Sequence, residues 1–335
     1  MTNELGPWGL RAPAGASSGS ATLGRVVRVD RGECDVVTET GIVRVLSDSI
    51  RAQDETAPVT GDWVEIEEHE GLGAVISTIL ERTTSVNRRD PAQRDLEQIL
   101  ATNVELVGVV HGLDRPLPVG RLERLLVVAI NSGAAPLVIL TKADAAAAKD
   151  ENGADECEAI VRSVCRDIPV VTTSIVDGTG LDELVGHVGA GRTLALIGAS
   201  GVGKSALVNA LAKEERLEVG SVRNVDAKGR HTTTARELVL LPGNAGLVLD
   251  TPGIRSVGLW EAEHALDLVF GDLEELSAGC RFHDCVHTSE PGCAITAAVA
   301  DGTLDAKRVE RYVALVAELA AQRQREHQRS YRPRR

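Results

Sequence analysis

The chain has 335 residues, 43% hydrophobic and 25% charged, which excludes a largely disordered protein and leaves room for two or three domains of roughly 100–200 residues each. A net charge of −13 argues against non-specific adhesion to nucleic acid or membrane, and aromatics at 2% exclude base stacking as a main device. No apolar run approaches the roughly 18 residues of a membrane helix, and Met1–Ala21 lacks an apolar signal core, so the expected setting is the cytoplasm.

Residues 1–20, rich in Gly, Ala, Ser and Pro without periodicity, read as a flexible lead-in. Over 21–85, alternating runs at Val27–Val29, Ile42–Val45, Trp63–Ile66 and Ala74–Ile76 are separated by turns such as Arg31-Gly32 and Thr40-Gly41. They predict a small β-barrel of the oligonucleotide-binding (OB) type. Residues 21–82 carry six arginines against thirteen acids, so an RNA contact there would need one local face. Residues 82–95, with Arg82, Arg88, Arg89, Arg94 and Pro91, read as a basic, strandless linker.

Over 86–257 the pattern becomes buried parallel strands alternating with amphipathic helices, so the whole is a multidomain α/β chain. The strands are Val104–Val110, Leu137–Leu140, Pro169–Thr173, Leu194–Gly198, Leu238–Leu241 and Leu247–Asp250, and a helical stripe covers Arg121–Asn131. Residues 258–320 read as helices around a cysteine-rich loop. Residues 321–335 form a basic tail of net +5, leaving −18 elsewhere, and both RNA contact and a disordered solubilising end remain open for it.

Gly198-Ala199-Ser200-Gly201-Val202-Gly203-Lys204-Ser205 follows an apolar strand, and Ala206 begins the helical run after it, the context a phosphate-binding loop requires. Its glycines let backbone N–H groups face phosphates, and the helix N-terminus adds partial positive charge. Lys204 would reach the β- and γ-phosphates, and the Ser205 hydroxyl would bind Mg²⁺. Asp250-Thr251-Pro252-Gly253 ends another apolar strand, placing a carboxylate beside that ion and the Gly253 N–H toward the γ-phosphate. Thr141-Lys142-Ala143-Asp144 matches the guanine-reading signature Asn-Lys-x-Asp, with Thr for Asn. Its aspartate accepts from the guanine ring N–H and amine, which adenine cannot supply. Thr172-Thr173-Ser174 suits a supporting loop on the guanine carbonyl. The guanine signature precedes the phosphate loop by 57 residues, the reverse of ordinary GTPases. A circularly permuted chain explains that order.

Gly229–Thr234 lies where a first switch would supply a threonine to Mg²⁺; Thr233 is one candidate among 232–234. Cys280, Cys285, His287 and Cys293 supply three thiolates and an imidazole, matching a closed structural zinc site, with His283 as a rival ligand. Cys34, Cys157 and Cys165 are assigned no role.

With these motifs in their permuted order, the chain resembles the RsgA (YjeQ) family of small-subunit-dependent GTPases over about residues 24–320. The resemblance implies an OB barrel, a permuted GTPase domain and a C-terminal zinc domain with one zinc per chain. It further implies GTP and GDP as ligands, and the small (30S) ribosomal subunit and its rRNA as partner. GTP hydrolysis would then be stimulated by the subunit late in its maturation, in a monomer that touches no membrane. Two other classes stay open: a free-standing nucleotide hydrolase with an accessory zinc module, and an RNA-binding scaffold with a vestigial nucleotide site. Intact Lys204, Ser205 and Asp250 speak against the second. Where many GTPases carry a water-orienting glutamine after the Asp-x-x-Gly signature, this chain has Ile254. His231, on the presumed first switch, is therefore the candidate catalytic residue.

Overall fold

A computed structural model of the chain describes residues 5–10, 21–30, 32–46, 57–71, 73–89, 97–148, 153–164, 167–214, 236–251 and 262–330. These divide into two compact units, one of Met1–Leu117 with Ser132–Ser256, the other of Pro118–Asn131 with Val257–Arg335. Among the described residues no helix is long and apolar enough to cross a membrane.

The first unit begins with a closed barrel of five strands: β1 (Thr22–Val29), β2 (Glu33–Thr38), β3 (Gly41–Leu46), β4 (Trp63–His69) and β5 (Gly73–Ile79). They run in the order β1-β2-β3-β5-β4, and β4 returns to β1. The period-2 alternation turns Val26, Val36, Val45, Val64 and Ile76 inward as one apolar cluster. Residues 5–10, expected within the flexible lead-in, instead form consecutive turns with Leu5 fully buried.

The linker expected to be strandless is not. It contains β6 (Ser85–Arg89), paired antiparallel with β7 (Glu97–Thr102). These strands are mostly polar, and their buried residues Val86, Leu100 and Ala101 show no period-2 alternation that would mark them in sequence.

Next comes a six-stranded sheet of β8 (Leu106–Gly112), β9 (Ala135–Thr141), β10 (Val170–Thr172), β11 (Thr193–Gly198), β12 (Leu238–Leu240) and β13 (Leu247–Asp250), in the order β10-β9-β8-β11-β13-β12. Five strands are parallel, but β12 is antiparallel to β13, a correction to the all-parallel expectation. The stretch between β12 and β13 holds only a 3₁₀ turn at Pro242–Asn244, too short for a crossover helix. Leu137, Ile139, Leu194, Leu196 and Val248 pack with residues of α4 (Leu181–Val188) and α5 (Lys204–Ala212) in the core. Two further helices, Ala143–Ala147 and Gly153–Val164, complete this unit.

Barrel and sheet are joined through Arg25, which is 1% exposed. Its guanidinium donates to the carbonyls of Trp8 (2.5 Å), Gly61 (3.4 Å) and Asn103 (2.7 Å), and to Thr193 Oγ1 (3.1 Å). Desolvation lowers its pKa to about 10, opposed by Glu105 and Asp62, so it stays charged at neutral pH.

The second unit contains α1 (Val119–Asn131), α6 (Glu263–Val269), α7 (Gly271–Ser277), α8 (Ala294–Ala300) and α9 (Ala306–Ser330). The last helix carries the chain through much of the segment expected as a tail. Fully buried Glu123 accepts from Arg308 (2.8 Å) and Arg311 (2.5 Å), and Arg308 also donates to Asp272 and lies over the Phe270 ring.

Candidate functional site

Because β10, β9, β8, β11 and β13 are parallel, their C-terminal tips share one edge of the sheet, where ligands of open α/β sheets bind. β11 ends at Gly198, and the loop to α5 stays tight because its glycines permit it. A Cβ on Gly198 would lie 2.5 Å from the Val110 carbonyl. Gly203, at φ 98°, sits in the left-handed region just before the helix. Lys204 is buried, and its Nζ donates to the carbonyls of Gly198 (3.2 Å) and Ala199 (3.0 Å). Ser200, Gly201 and Val202 form the crown of the loop, and Ala206 lies in the first turn of α5.

The Ser205 hydroxyl donates to Asp250 Oδ2 at 2.5 Å, so the phosphate-loop helix and the tip of β13 meet at two hard oxygen ligands. Thr251, next along the chain, fixes that tip by donating from Oγ1 to the Leu196 carbonyl at 2.6 Å. A hydroxyl and a carboxylate in contact beside a helix N-terminus are the donor set Mg²⁺ takes when it accompanies a nucleotide phosphate.

Around the guanine signature, Thr141 Oγ1 lies 2.5 Å from the Val202 carbonyl and 3.2 Å from that of His111. The threonine at the Asn position thus still ties its loop to the phosphate loop. Lys142 takes φ 63° and donates from Nζ to the Gly201 carbonyl at 2.9 Å. Ala143 N donates to the Thr173 carbonyl at 3.1 Å, and Asp144 Oδ1 accepts from Ser174 Oγ at 3.0 Å. Ser174, which is fully buried, also accepts from Val176 N at 3.2 Å. Fold and hydrogen bonding thus bring Thr141, Lys142, Ala143, Asp144, Ser174, Gly198–Ser205 and Asp250 to one edge. His231, Thr233 and the rest of Gly229–Thr234, with Gly253 and Ile254, lie outside the described residues, as does Cys165.

Sequence reasoning missed Asp114 and Arg115 on the loop after β8. Asp114 Oδ2 accepts from Lys142 Nζ at 2.8 Å, and Arg115 donates to Asp114 and to the Gly201 carbonyl. The available signal was positional: a charged pair just past the end of a buried strand.

In the second unit the ligand atoms of Cys280, Cys285, His287 and Cys293 all lie within 4.8 Å of one another, and His283 is not part of the group. Cys280 Sγ and Cys293 Sγ are 3.8 Å apart, each 3.6 Å from His287 Nδ1. A metal bound to sulfur at about 2.3 Å in a tetrahedron has ligand–ligand edges of about 3.8 Å, so these donors fit such an ion. Burial pushes the Cys293 thiol up, but the Thr296 N–H, His287 and Cys285 bring it below the usual thiol range, while burial and the neighbouring thiols push Cys285 up.

The family model for RsgA GTPase matches residues 79–260. The "Small ribosomal subunit biogenesis GTPase RsgA" of Streptomyces coelicolor is 45% identical over 296 residues, covering 88% of this chain and 80% of that one. The chain belongs to the RsgA GTPase family. The RsgA of Methanosarcina acetivorans is 35% identical over 308 residues, covering 92% of this chain and 82% of its own. Among solved structures, YjeQ from Thermotoga maritima superposes with a TM-score of 0.64 at 25% identity, covering 90% of this chain and 99% of that one. YloQ, a circularly permuted GTPase, gives 0.61 at 24% identity, covering 96% and 100%, and so shares the fold. The permuted order in this RsgA chain is visible directly, because β9 carries the guanine signature and precedes β11 with its phosphate loop.

Proposed function

We propose that the chain binds GTP and GDP at the shared edge of the sheet and hydrolyses GTP on the small ribosomal subunit late in its maturation, the subunit raising turnover. The observation that carries this reading is the contact of Ser205 with Asp250 at 2.5 Å on the same sheet edge as the Asp144–Ser174 pair at 3.0 Å. Phosphate-side and base-side residues from opposite ends of the motif order meet there. The ribosomal partner rests on the names of the RsgA relatives that match most of the chain. The reading includes a cytoplasmic monomer with no membrane contact.

In this reading the N–H groups of Gly198–Ala206 and the Lys204 ammonium bind the phosphates. Ser205 and Asp250 would hold Mg²⁺, with Thr233 as a third oxygen donor. When bound, Mg²⁺ neutralises developing charge on the phosphate oxygens. Gly253 would donate its N–H to the γ-phosphate. Asp144, braced by Ser174, accepts from the guanine edge, while Thr141 and Lys142 keep that loop on the phosphate loop. Cys280, Cys285, His287 and Cys293 hold one structural zinc, whose closed ligand set leaves no position for water. Any rRNA contact uses local basic faces, since the net charge is −13.

Ile254 has no group to orient water, so His231 takes that role when docking on the subunit turns it toward the γ-phosphate. The test is GTP turnover with and without purified small subunits, for wild type and His231→Ala. The reading requires stimulation by subunits, lost in the variant while nucleotide affinity and subunit binding stay near normal. Absence of stimulation in the wild type removes the ribosomal role, and full stimulation in the variant removes His231.

A further inference from the structure

Asp114 and Arg115 stand at the tip of β8, where the path of the chain across the sheet reverses. From β8 it runs through β9 to β10, then crosses back to β11 on the other side of β8. Such a reversal opens the crevice in which open α/β sheets hold ligands. The turn is pinned in place. Leu113 N donates to the Thr141 carbonyl at 2.9 Å, and the His111 ring lies 3.3 Å from the Arg115 carbonyl.

Within this turn one carboxylate holds two cations, and both cations meet one carbonyl. Asp114 Oδ2 is 2.8 Å from Lys142 Nζ, and Arg115 donates to Asp114 through Nε (3.1 Å) and Nη2 (3.2 Å). Lys142 Nζ and Arg115 Nη2 both donate to the Gly201 carbonyl, at 2.9 and 3.1 Å. The approach depends on Gly112, where a Cβ would come within 2.7 Å of Asp114 Oδ1 and 3.5 Å of Val202 Cα. The Arg115 hydrogen bond, helped by Lys142, holds the Asp114 carboxyl down to about 2, so it is ionised throughout the neutral range. All three side chains are partly solvated, so the ion pairs themselves add little stability. What they contribute is geometry.

We propose that Asp114 is a positioning residue for nucleotide binding: it holds Lys142 and Arg115 on the Gly201 carbonyl and so fixes the base-reading loop against the phosphate loop. The proposal rests on the guanine-nucleotide reading of the site. A nucleotide spans both loops at once, and loops that move independently must be ordered at the expense of affinity. The brace sets their separation in advance. It acts on GTP and GDP alike and leaves guanine selection to Asp144.

The test is release of a fluorescent GDP analogue (N-methylanthraniloyl GDP) from the full chain, for wild type, Asp114→Asn, Gly112→Ala, Lys142→Ala and the Asp114→Asn/Lys142→Ala double variant. Asp114→Asn should release the analogue about tenfold faster, equivalent to about 1.4 kcal/mol, and raise the KM for GTP with kcat unchanged. Gly112→Ala should also speed release, because it displaces the same carboxylate. In the Lys142→Ala background Asp114→Asn should add clearly less than it does alone, since only its hold on Arg115 is then left to lose. Unchanged release in Asp114→Asn, or full additivity with Lys142→Ala, overturns the proposal. So does a loss of nucleotide-free melting temperature that accounts for the weaker binding in all three single variants. A wild type that does not bind the analogue overturns instead the nucleotide reading on which the proposal rests.

Discussion

Around the sheet, Leu194, Leu196, Leu207 and Val248 are fully buried in one continuous apolar cluster, whereas the C-terminal unit, beside buried Leu126, Phe270 and Ile295, also buries the carboxylate of Glu123 between Arg308 and Arg311. Where the barrel meets the sheet, the same unit buries Arg25 and meets it with carbonyl oxygens. The C-terminal unit adds four metal-type ligands instead. An apolar core draws its stability from many small contacts and loses it piecemeal. A centre built of paired charges and metal-type ligands depends on a few groups, and removing one exposes the full desolvation penalty of its partners.

The largest difference should appear on chelating the proposed zinc. Strong chelation of the purified chain should abolish amide-exchange protection over residues 275–300, because structural zinc supplies about 10–16 kcal/mol of apparent folding energy in small domains. Protection in β8, β9 and β11, and GDP binding, should survive. Equal loss in both units would break the contrast.

Glu123→Ala comes next, with an expected loss of about 4 kcal/mol in denaturant unfolding, since it leaves the half-buried Arg311 without its carboxylate and Arg308 with Asp272 alone. Replacing Glu123, Arg308 and Arg311 together by apolar residues of similar volume should recover most of it. In the sheet, Leu196→Ala should cost about 3 kcal/mol through the cavity it leaves, with no charge to repair. A Glu123→Ala effect below that of Leu196→Ala would sink the ionic account of the C-terminal unit.

The smallest effect belongs to Arg44, which bridges Asp30, Glu33 and Asp35 on the barrel surface at 2.7–2.9 Å. At 43% side-chain exposure these pairs are screened by water, so Arg44→Ala should change stability by less than about 1 kcal/mol, and less still in high salt. A larger, salt-insensitive loss would show that the barrel also depends on charge.

The difference between the units also decided what could be read from sequence. Continuous apolar runs disclosed the buried strands, as at Leu137–Leu140 and Leu247–Asp250, and period-2 alternation disclosed the barrel. Gly198–Ser205, Thr141–Asp144 and Cys280–Cys293 carry their chemistry in local spacing, and the structure brings the members of each group together. Features created by long-range pairing left no local trace. Arg25 reads as an exposed strand residue, since arginine is rarely buried, yet it is enclosed by carbonyls contributed 17 to 78 residues away. The β6–β7 pair has no apolar alternation to announce it, although Val86, Leu100 and Ala101 are buried. Helix α1 has the stripe expected of a sheet-covering helix, but its Glu123 pairs with arginines 185 and 188 residues on. Asp114 gains meaning only beside Lys142 and Gly201.

The most direct test of the guanine-nucleotide site is competition of GTP, GDP and ATP against labelled GDP, on wild type and Asp144→Asn. GTP and GDP should displace the label at far lower concentrations than ATP. Asp144→Asn should narrow that gap by at least about tenfold, because each charge-assisted bond to the guanine edge is worth about 1.5–3 kcal/mol. ATP competing as well as GTP in the wild type, or a gap that Asp144→Asn leaves unchanged, would contradict the site.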